Sequence, residues 1–164
     1  MRPHLLALAL LVAPLGATVA TLPAAAAEAP AKPDLKGGVT LKKLRQIFEG
    51  LGHKTTDGKN DSYFEFKVEQ GGLDIYLLAE LSPSTQYIWI KSSLKDLTAS
   101  DDYKALMRAN YEVQPAQLFF SDNNVLTIAV PVENRDIKPE VVERALTIVI
   151  DGAVATQDLW LPKE

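Results

Sequence analysis

The sequence contains no cysteine, and only two histidines occur among its 164 residues. Without cysteine the chain has no disulfide, no thiolate nucleophile and no thiolate ligand for a metal or an iron-sulfur cluster. Because His4 lies in the N-terminal segment, His53 is the one histidine left for the rest of the chain. That number excludes a multi-histidine metal site within one copy.

Basic clusters and catalytic motifs are also missing. The net charge is -4, the pI is near 5.2, and the longest basic group is Lys42, Lys43 and Arg45, which argues against a nucleic-acid partner. No G-x-S-x-G, Walker, H-E-x-x-H or G-x-G-x-x-G motif occurs. Asp57 to Asp61 faintly resembles a calcium loop, but Ser62 and Val68 stand where that loop requires glycine and glutamate. We therefore predict no enzyme, no catalytic or metal residues and no cofactor.

The N-terminus has the composition of an export signal. Arg2 is followed by the apolar run Leu5 to Val12, and Ala25 to Ala27 offers small residues for cleavage. We predict a signal peptide over residues 1–27, a periplasmic or secreted location and no stable membrane insertion after cleavage. The alternative is an uncleaved anchor, because no charge interrupts Leu5 to Ala27.

Beyond residue 27, a proline-rich polar tether is predicted over residues 28–38, and a folded domain over residues 39–161. Alternating apolar and polar residues from Ser62 to Lys91 predict three antiparallel strands, separated by Gly71-Gly72 and by Ser82 to Thr85. The chain from Ser92 to Ala99 is expected to be irregular. A short edge strand is expected at His53 to Thr56.

Helical spacing and capping residues predict three helices. The first runs from a Thr40 cap to about Leu51, and the third starts at Pro139, with Asp136 as its expected cap. The second begins at Ser100 to Asp102 and ends near Asn110. On this second helix, Tyr103, Leu106 and Met107 are expected to face inward. Two further strands are expected, from Leu118 to Phe120 and from Val125 to Val132.

The resulting order, α-β-β-β-α-β-β-α, is that of an α+β domain with helices packed on a twisted antiparallel sheet. It resembles the YbjN-type family of proposed bacterial sensory transduction regulators, which shares its fold with type III secretion chaperones. The resemblance rests on Leu73 to Leu77, Tyr87 to Ile90, Leu106 to Asn110, and Phe119-Phe120 before Val125 to Val130. It implies no known active-site residues and, for the chaperone branch, dimers that hold a partner polypeptide. An export signal departs from that cytoplasmic branch.

One face of the predicted sheet is unusually aromatic. Residues of one strand parity should point to the helices, which leaves another set on the opposite face: Tyr63, Tyr76, Leu78, Tyr87 and Trp89, with Phe119 as an extension. Exposed aromatic groups commonly mark contact surfaces. The simpler alternative is that another element covers them or that they are merely good strand formers.

We therefore predict an exported, non-enzymatic module that binds another polypeptide or a second copy of itself through this face. Two alternatives remain open at this stage: a small-ligand sensor with a pocket between sheet and helices, and an uncharacterised hydrolase.

Overall fold

The structure is a computed structural model that describes residues 36–162. The predicted signal peptide and residues 28–35 of the predicted tether lie outside the described residues. The elements, in chain order, are α1 (Leu41–Gly50), β1 (Thr56–Asp57), a 3-10 turn (Lys59–Asp61), β2 (Tyr63–Gln70), β3 (Leu73–Leu81), β4 (Tyr87–Asp96), α2 (Tyr103–Glu112), β5 (Gln117–Phe120), β6 (Val125–Glu133), α3 (Pro139–Ala155) and α4 (Gln157–Trp160).

The six strands form one open antiparallel sheet in the order β1-β2-β3-β4-β6-β5. This confirms the α+β prediction. The β2–β3 hairpin turns at Gly71 and Gly72, whose φ angles of 59° and 78° are ones that side chains other than glycine rarely adopt. The two glycines therefore determine the position of this turn, and the turn sets the pairing of Gln70 with Leu73.

The helices pack on the face of the sheet that carries Phe64, Phe66, Ile88 and Ile90, as strand parity predicts. Thr40 caps α1 by accepting a hydrogen bond from the N–H of Lys43, which confirms the predicted helix start. The buried face of α3 extends over about three turns and consists of Val142, Ala145, Leu146, Val149, Ile150, Gly152 and Ala153. The helix prediction for this β-branched segment is therefore also correct.

Several boundaries differ from the sequence predictions. The edge strand β1 is Thr56–Asp57, so it begins three residues later than expected and ends one residue later. Strand β4 continues to Asp96 through a bulge between Ser93 and Lys95, so the segment expected to be irregular is paired with β6. Helix α3 follows Lys138 without a side-chain cap, so Asp136 is not its cap.

The orientation of α2 was only partly predicted. Its N-cap is Asp102, whose carboxylate accepts the N–H of Ala105 at 3.0 Å. Leu106 is buried as expected, but Tyr103 and Met107 are exposed. The helix has two apolar stripes. The one that packs on the sheet contains Leu106 and Ala109, and it continues into Val113, the residue directly after the helix. No helix in residues 36–162 has the length and apolar character needed to cross a membrane.

Candidate functional site: the open face of the sheet

The side of the sheet that faces away from α1 and α3 is called the open face here. All five predicted contact residues point to it. Tyr76 is 67% exposed and Tyr87 is 45% exposed, whereas Tyr63, Leu78 and Trp89 are half-buried. Strand parity therefore located the face correctly, and most of its surface is accessible on β2, β3 and β4.

Cross-strand register shows that the five residues do not form a continuous apolar patch. Glu80 is paired with Tyr63 on one side and with Trp89 on the other. In the next row, Leu78 lies between Glu65 and Lys91. The two most exposed tyrosines also have charged neighbours, because Tyr76 pairs with Lys67 and Tyr87 pairs with Glu133. On the open face, aromatic and apolar side chains therefore alternate with charged ones.

The charges of the open face are organised by ion pairs. Lys91 Nζ lies 2.6 Å from Glu80 Oε1, and Lys67 Nζ lies 3.1 Å from both Asp74 and Glu69. The hydrogen bonds from Lys67 to Asp74 and then Glu69 raise the pKa of its ammonium group. Lys67 therefore stays charged near neutral pH, and both lysines hold carboxylate partners beside the exposed rings.

A shallow concavity of about 450 Å³ lies on the open face above β2 and β3. Tyr76 and Leu78 form its apolar part, and Lys54, Lys67 and Lys91 stand around it. The small-ligand alternative placed a pocket on the other side of the sheet, between sheet and helices. Small-molecule sites usually bury most of the surface of the ligand, so the open shape of this concavity suits an extended polypeptide better than a metabolite.

The two ends of the open face differ in accessibility. On β6, Thr127 and Ala129 are buried although they point away from the helices. Phe119 on β5 pairs with Thr127, and Ala129 lies between Lys91 on β4 and Gln117 on β5. On β2, the ring of Tyr63 packs directly over Gly58, where a Cβ atom would overlap the ring. Tyr63 is therefore held in place, and Tyr76 and Tyr87 are the rings most free to meet a partner.

A second apolar surface was missed by the sequence analysis. Tyr103, Met107 and Tyr111 follow one another at four-residue intervals along the outer side of α2, and they are 41%, 65% and 79% exposed. Phe120 on β5 adds to this surface, since its ring packs edge-on against Tyr103 with centroids 5.5 Å apart. We call these four residues the α2 stripe. The helical spacing was visible in the sequence, but it was assigned to the core.

Helix α2 also covers the start of the β5 edge of the sheet. Asn110 Oδ1 accepts a hydrogen bond from the N–H of Leu118 at 2.7 Å, and the N–H of Ala116 is bonded to the carbonyl of Val113. These donors would otherwise be available to an added strand. A partner is therefore expected to meet side chains of the faces rather than the backbone of this edge.

The remaining chemical candidates have structural roles. His53 is half-buried and lies against Phe66 and Phe48, with ring centroids 5.3 Å and 6.0 Å away. Asp101 pairs with Lys95 and accepts the N–H of Thr98. Within residues 36–162, no group of three or more His, Cys, Asp or Glu side chains could hold a metal ion.

The chain matches no protein-family model and no curated protein. Solved structures do match it. YbjN from E. coli, a proposed transcription regulator, is 15% identical, with 76% of this chain and 97% of that chain covered and a TM-score of 0.53. A chain of the HopA1–SchA chaperone–effector complex is 7% identical, with coverage of 70% and 87% and a TM-score of 0.50.

A third match is to a structure of the Yersinia pestis type III secretion chaperone SycH with a fragment of YscM2. It is 12% identical, with coverage of 70% and 97% and a TM-score of 0.48. The chain has the fold of YbjN and the type III secretion chaperones. This confirms the resemblance inferred from the sequence. A shared fold does not by itself transfer a function, so the functional argument rests on the surfaces.

Proposed function

We propose that this protein is an exported, non-enzymatic module that binds a partner polypeptide through the open face. The observation that carries the proposal is the uncovered sheet face, on which Tyr76 is 67% exposed beside a concavity of about 450 Å³. Tyrosine and tryptophan are the residue types most enriched where binding energy is concentrated. Export is proposed from the N-terminal sequence alone.

The alternation of apolar and charged side chains on the open face indicates the chemistry of the partner. An extended segment with alternating side chains could set apolar groups against Tyr76 and Leu78 and polar groups against the ion-paired lysines. Because Lys67 and Lys91 already have carboxylate partners, the open face does not select strongly for an acidic chain. A mixed polar and apolar polypeptide fits the surface best, as in ordinary protein interfaces.

The test compares matched double variants in affinity capture from envelope and secreted fractions. The protein carries its own N-terminal segment and is purified in the form in which it accumulates. Tyr76→Ser with Trp89→Ser should abolish capture of the partner, while Tyr103→Ser with Tyr111→Ser on the α2 stripe should retain it. Circular dichroism confirms that both remain folded. If the open-face variant captures the same partner as the parent, the open face is not the binding surface.

Self-association through the α2 stripe is a second candidate, because the stripe exposes apolar side chains that the same stripe of a second copy could cover about a two-fold axis. Tyr103 and Tyr111 stand one helical turn on either side of Met107. A two-fold axis through Met107 would place Tyr103 of one copy against Tyr111 of the other, and the two methionines against each other. This contact needs no pairing between the sheets of the two copies.

Sedimentation over a concentration series tests this second candidate. Met107→Asp would place a charge at the centre of the contact, and we expect it to leave the protein monomeric at every concentration. Tyr76→Ser, on the open face, is the matched control and should associate like the parent. A parent protein that stays monomeric up to about millimolar concentration, the weak end of measured affinities, would refute self-association.

A further inference from the structure

The charged side chains are distributed unevenly between the two ends of the sheet. One end holds the β3–β4 turn and the end of β6, because Tyr87 pairs with Glu133 there. The side chain of Asn134 bonds both backbone groups of Val39, so the start of α1 lies at the same end. Helix α3 also begins there, since Pro139 closely follows Asn134. The N-termini of α1 and α3 therefore lie together at one end of the sheet.

Four exposed lysines stand at this end, and they are Lys36, Lys42, Lys43 and Lys138. We call these four residues the basic end. Lys42 and Lys43 belong to the first turn of α1, and Lys138 is the N-cap residue of α3. The carbonyl of Lys36 accepts the N–H of Asp136 at 3.4 Å. Within the described part of the chain, no carboxylate lies at ion-pair distance from any of the four.

Helix stability does not account for these lysines. The N-terminus of a helix carries a partial positive charge, so a lysine is unfavourable there and a carboxylate is favourable. The first turn of α1 nevertheless contains two lysines and no acidic residue. Over residues 36–43 and 133–140, five basic residues stand against three acidic ones, which leaves a charge of +2 beside the two helix N-termini. The basic end is therefore a positive surface on a protein whose formal net charge is -4.

The other end of the sheet has the opposite charge. There β4 ends, and the turn at Gly71 lies close to Val154 in the last turn of α3. The 17 residues of α3 therefore span the distance of about 25 Å from one end of the sheet to the other. Lys67, Lys95 and Lys104 are accompanied at this second end by six acidic residues, which are Glu69, Asp74, Asp96, Asp101, Asp102 and Asp158. The protein is thus positive at the start of α3 and negative at its end.

From this polarity we infer that the basic end attaches the protein to the surface of a bilayer that contains anionic phospholipids. Lysines near such a surface attract the headgroup phosphates, and each lysine strengthens binding by about fivefold. The acidic end is repelled by the same phosphates, which orients α3 with its N-terminus toward the bilayer. A nucleic acid fits less well as the partner, because the positive charge is small and the protein as a whole is acidic.

The N-terminal segment is connected to the domain at the same end. Lys36 is the first described residue, so the chain that precedes it joins the domain at the basic end. That preceding sequence contains the apolar run Leu5 to Val12, which we predict to be part of an export signal. One weak membrane signal gives reversible attachment, whereas two that act together give stable attachment. While the N-terminal segment is retained, the basic end and the apolar run are expected to act on the same bilayer.

Vesicle sedimentation tests this attachment, with the protein carrying its own N-terminal segment and purified in the form in which it accumulates. Vesicles of pure phosphatidylcholine are compared with vesicles in which one third of the lipid is phosphatidylglycerol. We expect at least about tenfold tighter binding to the anionic vesicles. Raising the ionic strength from about 0.05 M to about 0.5 M should remove this preference, because the Debye length becomes shorter. Tyr76→Ser, on the open face, should bind both kinds of vesicle like the parent.

Matched charge reversals locate the surface that binds. Lys42→Glu with Lys43→Glu should weaken binding to the anionic vesicles by more than about tenfold. Glutamate in the first turn of α1 suits the helix dipole, so this variant should be at least as stable as the parent. Lys104→Glu with Arg108→Glu makes the same change of formal charge at exposed positions of α2. It should bind within about twofold of the parent, because charges far from the contact are screened. Glu140→Gln removes a negative charge beside the basic end and should strengthen binding.

The other outcomes would overturn the inference. Equal binding to the two kinds of vesicle, or no binding to either, would show that surface charge does not attach the protein. Equal weakening by the two charge reversals would mean that the net charge matters and the position of the lysines does not. A third outcome is that Lys42→Glu with Lys43→Glu alters the sedimentation of the protein alone and leaves vesicle binding unchanged. The basic end would then contact the acidic end of a second copy instead of a bilayer.

Discussion

The side chain of Asn134 holds the backbone of Val39, which is 95 residues away in sequence. Its Oδ1 accepts the N–H of Val39 at 2.8 Å, and its Nδ2 donates to the carbonyl of the same residue at 3.0 Å. Nδ2 also donates to the carbonyl of Thr85 at 2.9 Å. Asn134 is 2% exposed, so one buried amide joins the start of the domain, the β3–β4 turn and the end of β6.

Asn134→Ala should strongly destabilise the domain. Each buried polar group left without a partner costs about 1–3 kcal/mol, and the substitution removes the partner of three backbone groups on the half-buried residues Val39 and Thr85. We expect the free energy of unfolding to fall by at least about 2 kcal/mol. Chemical denaturation measures the change, and Asn123→Ala, at an exposed turn position, serves as the control. Equal stability of the two variants would show that the amide network contributes little.

Asn110 should protect the β5 edge. Asn110→Ala removes the acceptor of the Leu118 N–H, so hydrogen exchange at that amide should become faster. Asn110→Asp keeps an oxygen in the same place and should preserve the protection. Because an uncovered strand edge promotes pairing between chains, Asn110→Ala should also aggregate at lower protein concentration than the parent. Unchanged exchange at Leu118 in the alanine variant would contradict this role.

His53 should make the fold sensitive to mild acid. Burial against Phe48 and Phe66 lowers the pKa of its imidazole in the folded protein, and the nearby Glu143 carboxylate on α3 opposes that shift. The unfolded chain, with an imidazole pKa near 6.5, therefore binds the proton before the folded protein does. Stability is fully present above about pH 6.5 and is lost as the pH falls toward the lowered value.

Urea denaturation at pH 7.5 and at pH 5.5 measures this effect. The carboxylates of Glu49 and Asp101 also have lowered pKa values, because hydrogen bonds from Thr55 and from Lys95 favour their ionised forms. Both carboxylates therefore stay ionised at pH 7.5 and at pH 5.5, and they do not obscure the result. The parent should have the lower urea midpoint at pH 5.5, and His53→Gln should reduce the difference. If His53→Gln shows the same difference in urea midpoint between the two pH values as the parent, the pH dependence comes from other groups.

The sequence predicted those features that depend on local periodicity. Thr40, the apolar spacing of α3 and the Gly71-Gly72 turn each act within a few residues, and all three were assigned correctly. For α2, the stripe containing Leu106 competed with the one containing Tyr103, and local periodicity does not decide which of two apolar stripes a sheet will cover. Only the packed structure makes that choice.

The candidate site was predicted in part for a related reason. Alternation along a strand places Tyr63 and Trp89 on the same face, but their separation by Glu80 depends on the register of two hairpins. The contact of Asn134 with Val39 depends on the whole topology. These features arise from pairing between distant segments. A single sequence does not reveal the register of that pairing, so it contains little information about them.

Gly58 should control the position of Tyr63 on the open face. A Cβ atom at residue 58 would overlap the Tyr63 ring, so we expect Gly58→Ala to displace that ring. Gly58 has an extended backbone with φ of -78°, which alanine adopts without strain, so the substitution acts on the ring and not on the turn itself. We expect a loss of about 1 kcal/mol, typical of a single substitution that disturbs a half-buried contact.

Nuclear magnetic resonance of the Tyr63 ring protons would detect the displacement as a loss of contacts to residue 58. Gly72→Ala is a useful comparison, because its Cβ would meet no neighbour but its φ of 78° is unfavourable for alanine, so it perturbs a turn without touching a ring. If a partner binds the open face, Gly58→Ala should alter its affinity while Gly72→Ala should alter mainly stability. A Gly58→Ala protein whose Tyr63 ring keeps its parent contacts would show that the turn yields instead of the ring.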